Sequence, residues 1–329
     1  VAGLTLGGGV GYLRRKHGLS CDNLVSVEMF TADGRVIPAS ETENTDLFWA
    51  LRGGGGNFGV VTAFVYRLHP VGPEVVTLNP FYPLSEARQM LSSWREFTAA
   101  APDEATTAFA IWEIPEHPDI PEALHRRPVC LLDGMYAGPP DVGEEVFRPL
   151  RELGTPLLDM GGRALYVEAQ RAFDEFLPDG GLYYWKSLFL DELSDAAIEA
   201  IVSRGRKRPN SRILVILRHL GGAIDRIGSE ETAYRNRGAR YMLSIDGAWT
   251  DPEESDRNIA WIREFWEEMR PFSNGGVYLN FPGFGEGESD LWKASHGPNY
   301  ARLGRVKRIY DPENRFRLNQ NIRPSASPN

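Results

Sequence analysis

Two glycine clusters constrain this chain more than anything else in it: Gly7-Gly8-Gly9 with Gly11, and Gly53-Gly54-Gly55-Gly56 with Gly59. Runs of glycine bury no side chain and lose the most entropy on folding. A fold that keeps them needs backbone at positive φ or backbone drawn close to something bulky. Both clusters adjoin apolar chain. After the first come Arg14-Arg15-Lys16-His17, a stop at Gly18, and the alternation Val25, Val27, Met29. A turn at Asp33-Gly34 leads to a second short strand through Val36 and Ile37, which together read as a hairpin. Thr45 then caps a short helix with Leu47, Phe48 and Leu51 as its apolar positions. The second cluster follows, and a strongly apolar strand leaves it over Val60 to Leu68. Glycine loops set between strands expose N–H groups that suit a diphosphate. The alternative is that they only make tight turns or bulges. A dinucleotide-binding βαβ unit does not fit, because neither cluster is followed by the required helix, strand and acidic residue.

The other totals remove whole classes of function. A net charge of −9, with no basic run longer than Arg14 to His17, disfavours nucleic acid and anionic membrane surfaces as partners. No apolar run approaches the roughly 20 residues that cross a bilayer. Two cysteines, Cys21 and Cys130, cannot build a disulfide framework, and six histidines show no paired spacing, so no metal is expected. No G-x-S-x-G elbow is present for a serine nucleophile. Glu253 and Glu254 sit where carboxylates complement a helix dipole.

Pro70, Pro73 and Pro80 place a boundary near residue 72. Beyond it, strands are expected over 106–114, 128–136, 183–190, 212–219, 240–249 and 275–281. One-sided helices alternate with them, capped by Ser85 and by Ser194 and opened by Pro252. The pattern predicts one sheet with helices on one face. Aromatic residues at Tyr183, Tyr184, Trp185, Tyr278 and Phe281 fall on strands, where most are core and alternation turns some toward a cavity or solvent. A last helix runs from Pro298 through Leu303, Val306 and Tyr310.

Long ordered strings at both ends resemble one family. Val1-Ala2-Gly3-Leu4-Thr5-Leu6-Gly7-Gly8-Gly9-Val10-Gly11, then Asp22-Asn23-Leu24, then Asp46 to Thr62 are similar to the second half of the FAD-binding domain of the vanillyl-alcohol-oxidase superfamily. Tyr278-Leu279-Asn280-Phe281, Asn299-Tyr300, Lys307, Tyr310 to Asn314 and Phe316 to Ile322 resemble the berberine-bridge C-terminal module. The resemblance implies an α+β protein with a PCMH-type FAD-binding domain built from both chain ends and an inserted antiparallel substrate domain covered by helices. The expected division is 1–72 for the C-terminal half of the flavin domain, 73–280 for the substrate domain and 281–329 for the returning module. Val1-Ala2-Gly3 enters the glycine cluster with no start methionine, so the chain is expected to be cut within a domain. No leader is visible, and secretion is unsupported.

The resemblance also implies residue roles. FAD would be held by backbone around Val1, Gly3, Gly7, Gly8, Gly9 and Gly11, by Gly59 and Val61 on the adenine side, and by Asn319 near the ring. Valine at position 1 matches the oxidase-permissive choice beside the ring, so O2 is the expected acceptor; the alternatives are a dehydrogenase with another acceptor or an impaired flavoprotein that only binds ligand. His17, Cys21 and Cys130 do not match the family's flavin-attachment residues. The family's terminal base tyrosine is replaced by Phe281. Tyr12, matching a second active-site tyrosine, is therefore the expected proton acceptor, supported by Arg237 or Arg240, and Tyr241 the other expected lining residue. Substrate identity stays open among sugars, amines, polyketide alcohols and phenols. Arginine-heavy, lysine-poor usage implies a bacterial source.

Overall fold

The computed structural model describes residues 1–176, 178–283, 288–318 and 320–326. It divides the chain into two compact units: Val1–His69 with Gly221–Gly238 and Gly275–Asn329, and Pro70–Leu220 with Ala239–Asn274. The protein is α+β, and its first unit is assembled from both ends of the chain. Residues 221–238, which the sequence pattern places in the middle domain, belong to this first unit.

In the first unit, β1 (Leu24–Phe30) pairs antiparallel with both β2 (Val36–Ser40) and β3 (Val60–Tyr66). The hairpin closes at Gly34, whose φ of 85° suits the turn, and Thr31 N–H bonds Arg35 O. Helices α1 (Ala2–Leu6), α2 (Arg14–His17), α3 (Thr45–Leu51), α9 (Glu288–His296) and α10 (Asn299–Tyr310) complete the unit, numbered along the whole chain. Asn44, rather than Thr45, occupies the N-cap of α3, at a left-handed φ of 46° that asparagine tolerates. Every residue from Leu47 to Leu51 is buried, so α3 is the central helix of this core. Leu303 and Val306 of α10 join the same cluster with Met29 and Phe58.

The last segment is locked by one buried cation. Lys307 Nζ donates to Asn57 O at 2.6 Å, to Asp311 Oδ2 at 2.5 Å and to Phe316 O at 2.7 Å. Both side chains of the Lys307–Asp311 pair are fully buried. Burial pushes the Asp311 carboxyl up, but Lys307 and the N–H groups of Arg315 and Phe316 outweigh it and hold the group below the usual carboxylate range.

The second unit is a nine-stranded sheet in which all pairs are antiparallel. Its strands are β4 (Glu74–Leu78), β5 (Pro80–Pro83), β6 (Ala105–Glu113), β7 (Pro128–Tyr136), β8 (Leu158–Asp159), β9 (Gly162–Leu165), β10 (Leu182–Leu190), β11 (Leu214–His219) and β12 (Tyr241–Trp249). The order β10-β12-β11-β6-β7-β4-β9 is extended by β5, which pairs with β7 and β8. Helices α4 (Ala87–Ala100), α5 (Pro140–Arg151), α6 (Tyr166–Arg171), α7 (Asp195–Gly205) and α8 (Ser255–Met269) belong to this unit. Trp94 of α4 bonds Thr107 Oγ1 at 3.0 Å, Ile111 packs where Gly205 of α7 leaves room, and Ile262 of α8 lies over Gly247. These contacts fall on one face, so α4, α7 and α8 cover a single side of the sheet. Ser194 caps α7 by accepting from Ala197 N–H.

The expected strand over 275–281 is not one: Phe281 N–H bonds Tyr278 O, closing a turn. Among the described residues, no helix is long and apolar enough to cross a membrane.

Replacing Lys307 with methionine strands the buried Asp311 carboxylate, and urea unfolding is expected to show a loss of roughly 3–5 kcal/mol. Asp311 is depressed in the folded state, so its contribution is fully present above its unfolded pKa of about 3.9. It disappears as pH falls through the lower folded value. Acid titration should therefore unfold the parent protein below pH ~4, and the K307M midpoint should lie higher.

Candidate functional site

The first glycine cluster is a loop with one packed side. Gly8 (φ 117°) and Gly9 (φ 92°) adopt backbone that L side chains rarely reach. A Cβ on Gly8 would stand 2.8 Å from the Tyr234 ring; one on Gly7 would strike Asn280, and one on Gly9 would strike Ser20. By contrast, Gly3 and Gly11 meet nothing within 4 Å on that side. The Gly11 N–H has no hydrogen-bond partner among the described residues, whereas its carbonyl accepts from Arg14 N–H and from Arg14 Nη1 at 3.1 Å. Gly7, Gly8 and Gly9 are therefore fixed by protein, whereas a Cβ at Gly3 or Gly11 would meet open space.

Several distant segments hold the loop. Tyr278 Oη accepts from Gly9 N–H and Val10 N–H, each at 3.2 Å, and from Asn280 Nδ2 at 2.8 Å. Asn280 Nδ2 also reaches Leu4 O at 3.1 Å. Tyr278 and Asn280, two apart, thus clamp the same glycine segment. Phe281 packs edge-on against Tyr278, with centroids 5.1 Å apart. Leu6 O accepts from both Gly53 N–H and Gly55 N–H, which ties the two glycine clusters together. Tyr234 N–H bonds Arg52 O, and a Cβ at Gly53 would collide with that Tyr234 backbone. Residues 221–238 therefore cross both clusters, a role that no periodicity or motif in that segment signals.

Arg237 is not available to Tyr12. Both its terminal nitrogens pair with Asp22 at 2.7 Å, one also bonds Thr232 Oγ1, and Nε donates to Tyr234 O. The expectation that Arg237 supplies the cation for Tyr12 is corrected on this ground: Asp22 neutralises it. Tyr12 itself is half-buried, in the turn between Gly11 and α2.

The remaining residues expected to touch the cofactor fall in three groups. Val1 is 88% exposed. Gly59 leaves no room for a Cβ against Met29, and Val61 pairs with Met29 across β1–β3. Asn319 lies outside the described residues. Burial pushes the Cys21 thiol well above its ordinary range and Cys130 up to about 12, so neither is a ready thiolate.

In the second unit, Tyr241 lies on the helix-covered face, its hydroxyl 2.7 Å from Thr98 Oγ1 and its ring beside Trp94. Alternation along β12 puts Ser244 and Asp246 on the opposite face. There Arg218 of β11 bonds Ser244 Oγ, and its Nη2 is 3.4 Å from Asp246 Oδ2.

The first 40 residues match the family model described as an FAD binding domain, and residues 277–323 match the model described as berberine and berberine like. The FAD-linked oxidoreductase YgaK of Bacillus subtilis is 32% identical over 335 residues, covering 98% of this chain and 70% of the relative. A carbohydrate oxidase of Microdochium nivale is 27% identical over 348 residues, covering 96% of this chain and 66% of its own length. The structure of Physcomitrella patens BBE-like 1 superposes with a TM-score of 0.85 at 23% identity, covering 99% of this chain and 70% of that one.

Two glycine substitutions separate packing from ligand approach. Gly8→Ala should lower stability by about 1–3 kcal/mol, read by thermal unfolding, because backbone strain and the Tyr234 ring both oppose it. Gly11→Ala meets no protein atom and should leave the melting temperature within a degree or two while weakening flavin retention on gel filtration.

Proposed function

The chain belongs to the FAD-linked oxidoreductases of the berberine-bridge type, and from that premise we propose that it oxidises a small hydroxylated organic molecule, with O2 as the electron acceptor. The observation that carries this reading is the two-sided glycine loop, packed at Gly7 to Gly9 and open at Gly3 and Gly11. Backbone there fits the cofactor, because any side chain at the open positions would occupy its approach. Bound FAD supplies the hydride acceptor for the substrate C–H.

The chain's own residues bind, orient and take the proton. Gly3 and Gly11 would present bare backbone to the cofactor, while Tyr278 and Asn280 hold the neighbouring backbone at Gly9, Val10 and Leu4. Gly59 and Val61 are assigned to its adenine side. Tyr12 takes the proton of the substrate hydroxyl as the C–H bond breaks. An unperturbed tyrosine titrates near about 10, so this role needs a positive charge to favour the phenolate. Arg14, whose guanidinium donates to the carbonyl of Gly11 one residue before Tyr12, is the candidate for that charge. Val1, with its small side chain, would leave O2 room to approach bound FAD.

Anaerobic stopped-flow reduction of the flavin-loaded protein checks the assignment of Tyr12. At saturating substrate, Tyr12→Phe is expected to slow flavin bleaching by about 10²–10⁴-fold with little change in the substrate concentration needed for saturation. An unchanged rate would remove Tyr12 from proton transfer. In air, about one H2O2 per substrate oxidised is expected, and its absence would exclude O2 as the acceptor.

A further inference from the structure

His296 closes α9 inside the first unit and is only 2% exposed. Its ring bonds the backbone of Ala233, while Nε2 is buried without a hydrogen-bond partner among the described residues. The Ala233 N–H already goes to Trp49 O, so the bond runs from Nδ1–H to the Ala233 carbonyl. This place fits the neutral ring with its one proton on Nδ1.

The corner between α9 and α10 holds the segment that crosses both glycine clusters. Asn299 Nδ2 donates to Ser229 O at 2.8 Å and to Thr232 O at 3.3 Å. Gly297, at φ 48°, makes room for the Arg235 guanidinium, which a Cβ there would strike at 2.3 Å. Arg235 Nη1 reaches back to Ala294 O at 3.4 Å. The same segment accepts from Trp49 Nε1 at Glu230 O and sets Tyr234 against Gly8 and Gly53. His296, Gly297 and Asn299 thus grip residues 229–235, on which the two glycine clusters pack.

A second proton on the ring opposes this arrangement twice over. It adds an N–H with no acceptor and places a charge where water does not reach. Among the described residues no carboxylate pairs with the ring. On α9, exposed Asp290 lies with Lys293 at 3.4 Å. The next helix, α10, offers Asn299 and Tyr300, whose ring centroid is 6.4 Å from the imidazole. The crossing segment brings Arg235, another cation, and its exposed Glu230 and Glu231 take part through main-chain carbonyls that bind Trp49 and Arg52. Burial accordingly lowers the His296 pKa from its ordinary 6.5 to about 4, against the pull of the Ala233 carbonyl. The folded chain binds this proton less readily than the unfolded one. The stability that the neutral ring contributes is therefore whole above about pH 6.5 and is lost as pH falls toward 4.

We infer that His296 is a proton-operated latch on the glycine loop: protonated at Nε2, it parts the α9–α10 corner from residues 229–235 and withdraws their support from Gly8 and Gly53. It is a positioning residue that acts through Tyr234. That the loosened loop serves FAD rests on the function proposed above; the opening itself does not.

Hydrogen–deuterium exchange between pH 7.5 and 4, corrected for the intrinsic pH dependence of exchange and run with and without added FAD, tests the latch. Peptides spanning 229–236 are expected to lose protection tenfold or more between about pH 6.5 and 4, while β1 stays protected. His296→Asn keeps a donor for the Ala233 carbonyl and has nothing to protonate, so its opening is expected at least one pH unit lower. Should that variant fail to fold, His296→Gln takes its place. Equal midpoints in parent and variant overturn the inference, as does exchange at 229–236 that rises only together with exchange at β1. A protein that takes up no FAD yet opens at 229–236 keeps the latch and sinks the oxidase reading. One whose flavin is bleached by substrate, yet which never opens there, does the reverse.

Discussion

Lys307 ties three separate stretches of the first unit to one ammonium group. Its partners are the carbonyl of Asn57 just after the second glycine cluster, the carboxylate of Asp311 one turn further along the chain, and the carbonyl of Phe316 in the tail. A cation removed from water must recover its hydration from nearby oxygens, and here all three lie within hydrogen-bonding distance. Asn57 extends the lock: its amide donates to Gly54 O and Gln320 O, and its Oδ1 accepts from Ile322 N–H. Polar groups that can be satisfied only together force the C-terminal segment back onto the glycine cluster. Hydrophobic contact between α10 and α3 would tolerate sliding; this network does not.

The glycine loop shows how the same residue type serves two ends. At Gly7, Gly8 and Gly9 the missing Cβ is space already filled by Asn280, Tyr234 and Ser20. At Gly3 and Gly11 it is space left open. The loop can be rigid on one side because it is bare on the other: Tyr278 ties down two consecutive N–H groups without covering Gly11. A backbone surface positioned in this way needs no charge to receive an anionic cofactor, which is why a chain with net charge −9 can belong to this family.

What the sequence revealed was whatever depends on short range. The hairpin at Asp33-Gly34, the Ser194 cap and the amphipathic helices all stand where their local chemistry puts them. The paired strings at the chain ends pointed to flavin binding because ordered motifs carry more information than glycine spacing does. Long-range partners were hidden. Arg237 reads as a cation free to serve Tyr12, and only the fold shows it spent on Asp22, 215 positions away. Residues 278–281 alternate like a strand, yet their alternation exists so that Tyr278 and Asn280 reach one loop. Period two assigns Tyr241 and Asp246 to opposite faces of β12 without saying which face the helices cover. The strands β4, β5, β8 and β9, two to five residues long, are too short to carry a readable alternation.

Buried charge separates support from purpose in this molecule. Lys186 lies under α8 with its ammonium 4.0 Å from the Trp266 ring centroid, a contact that compensates part of its lost hydration. Arg237 and Asp22 answer one another with two parallel bonds, and Lys307 has three acceptors. Each of these charges has partners supplied by the fold, so each is explained by the fold. Asp246 is answered on one oxygen only. Asp246 Oδ1 is one of several buried polar atoms without a hydrogen-bond partner among the described residues, both amide atoms of Asn258 among them.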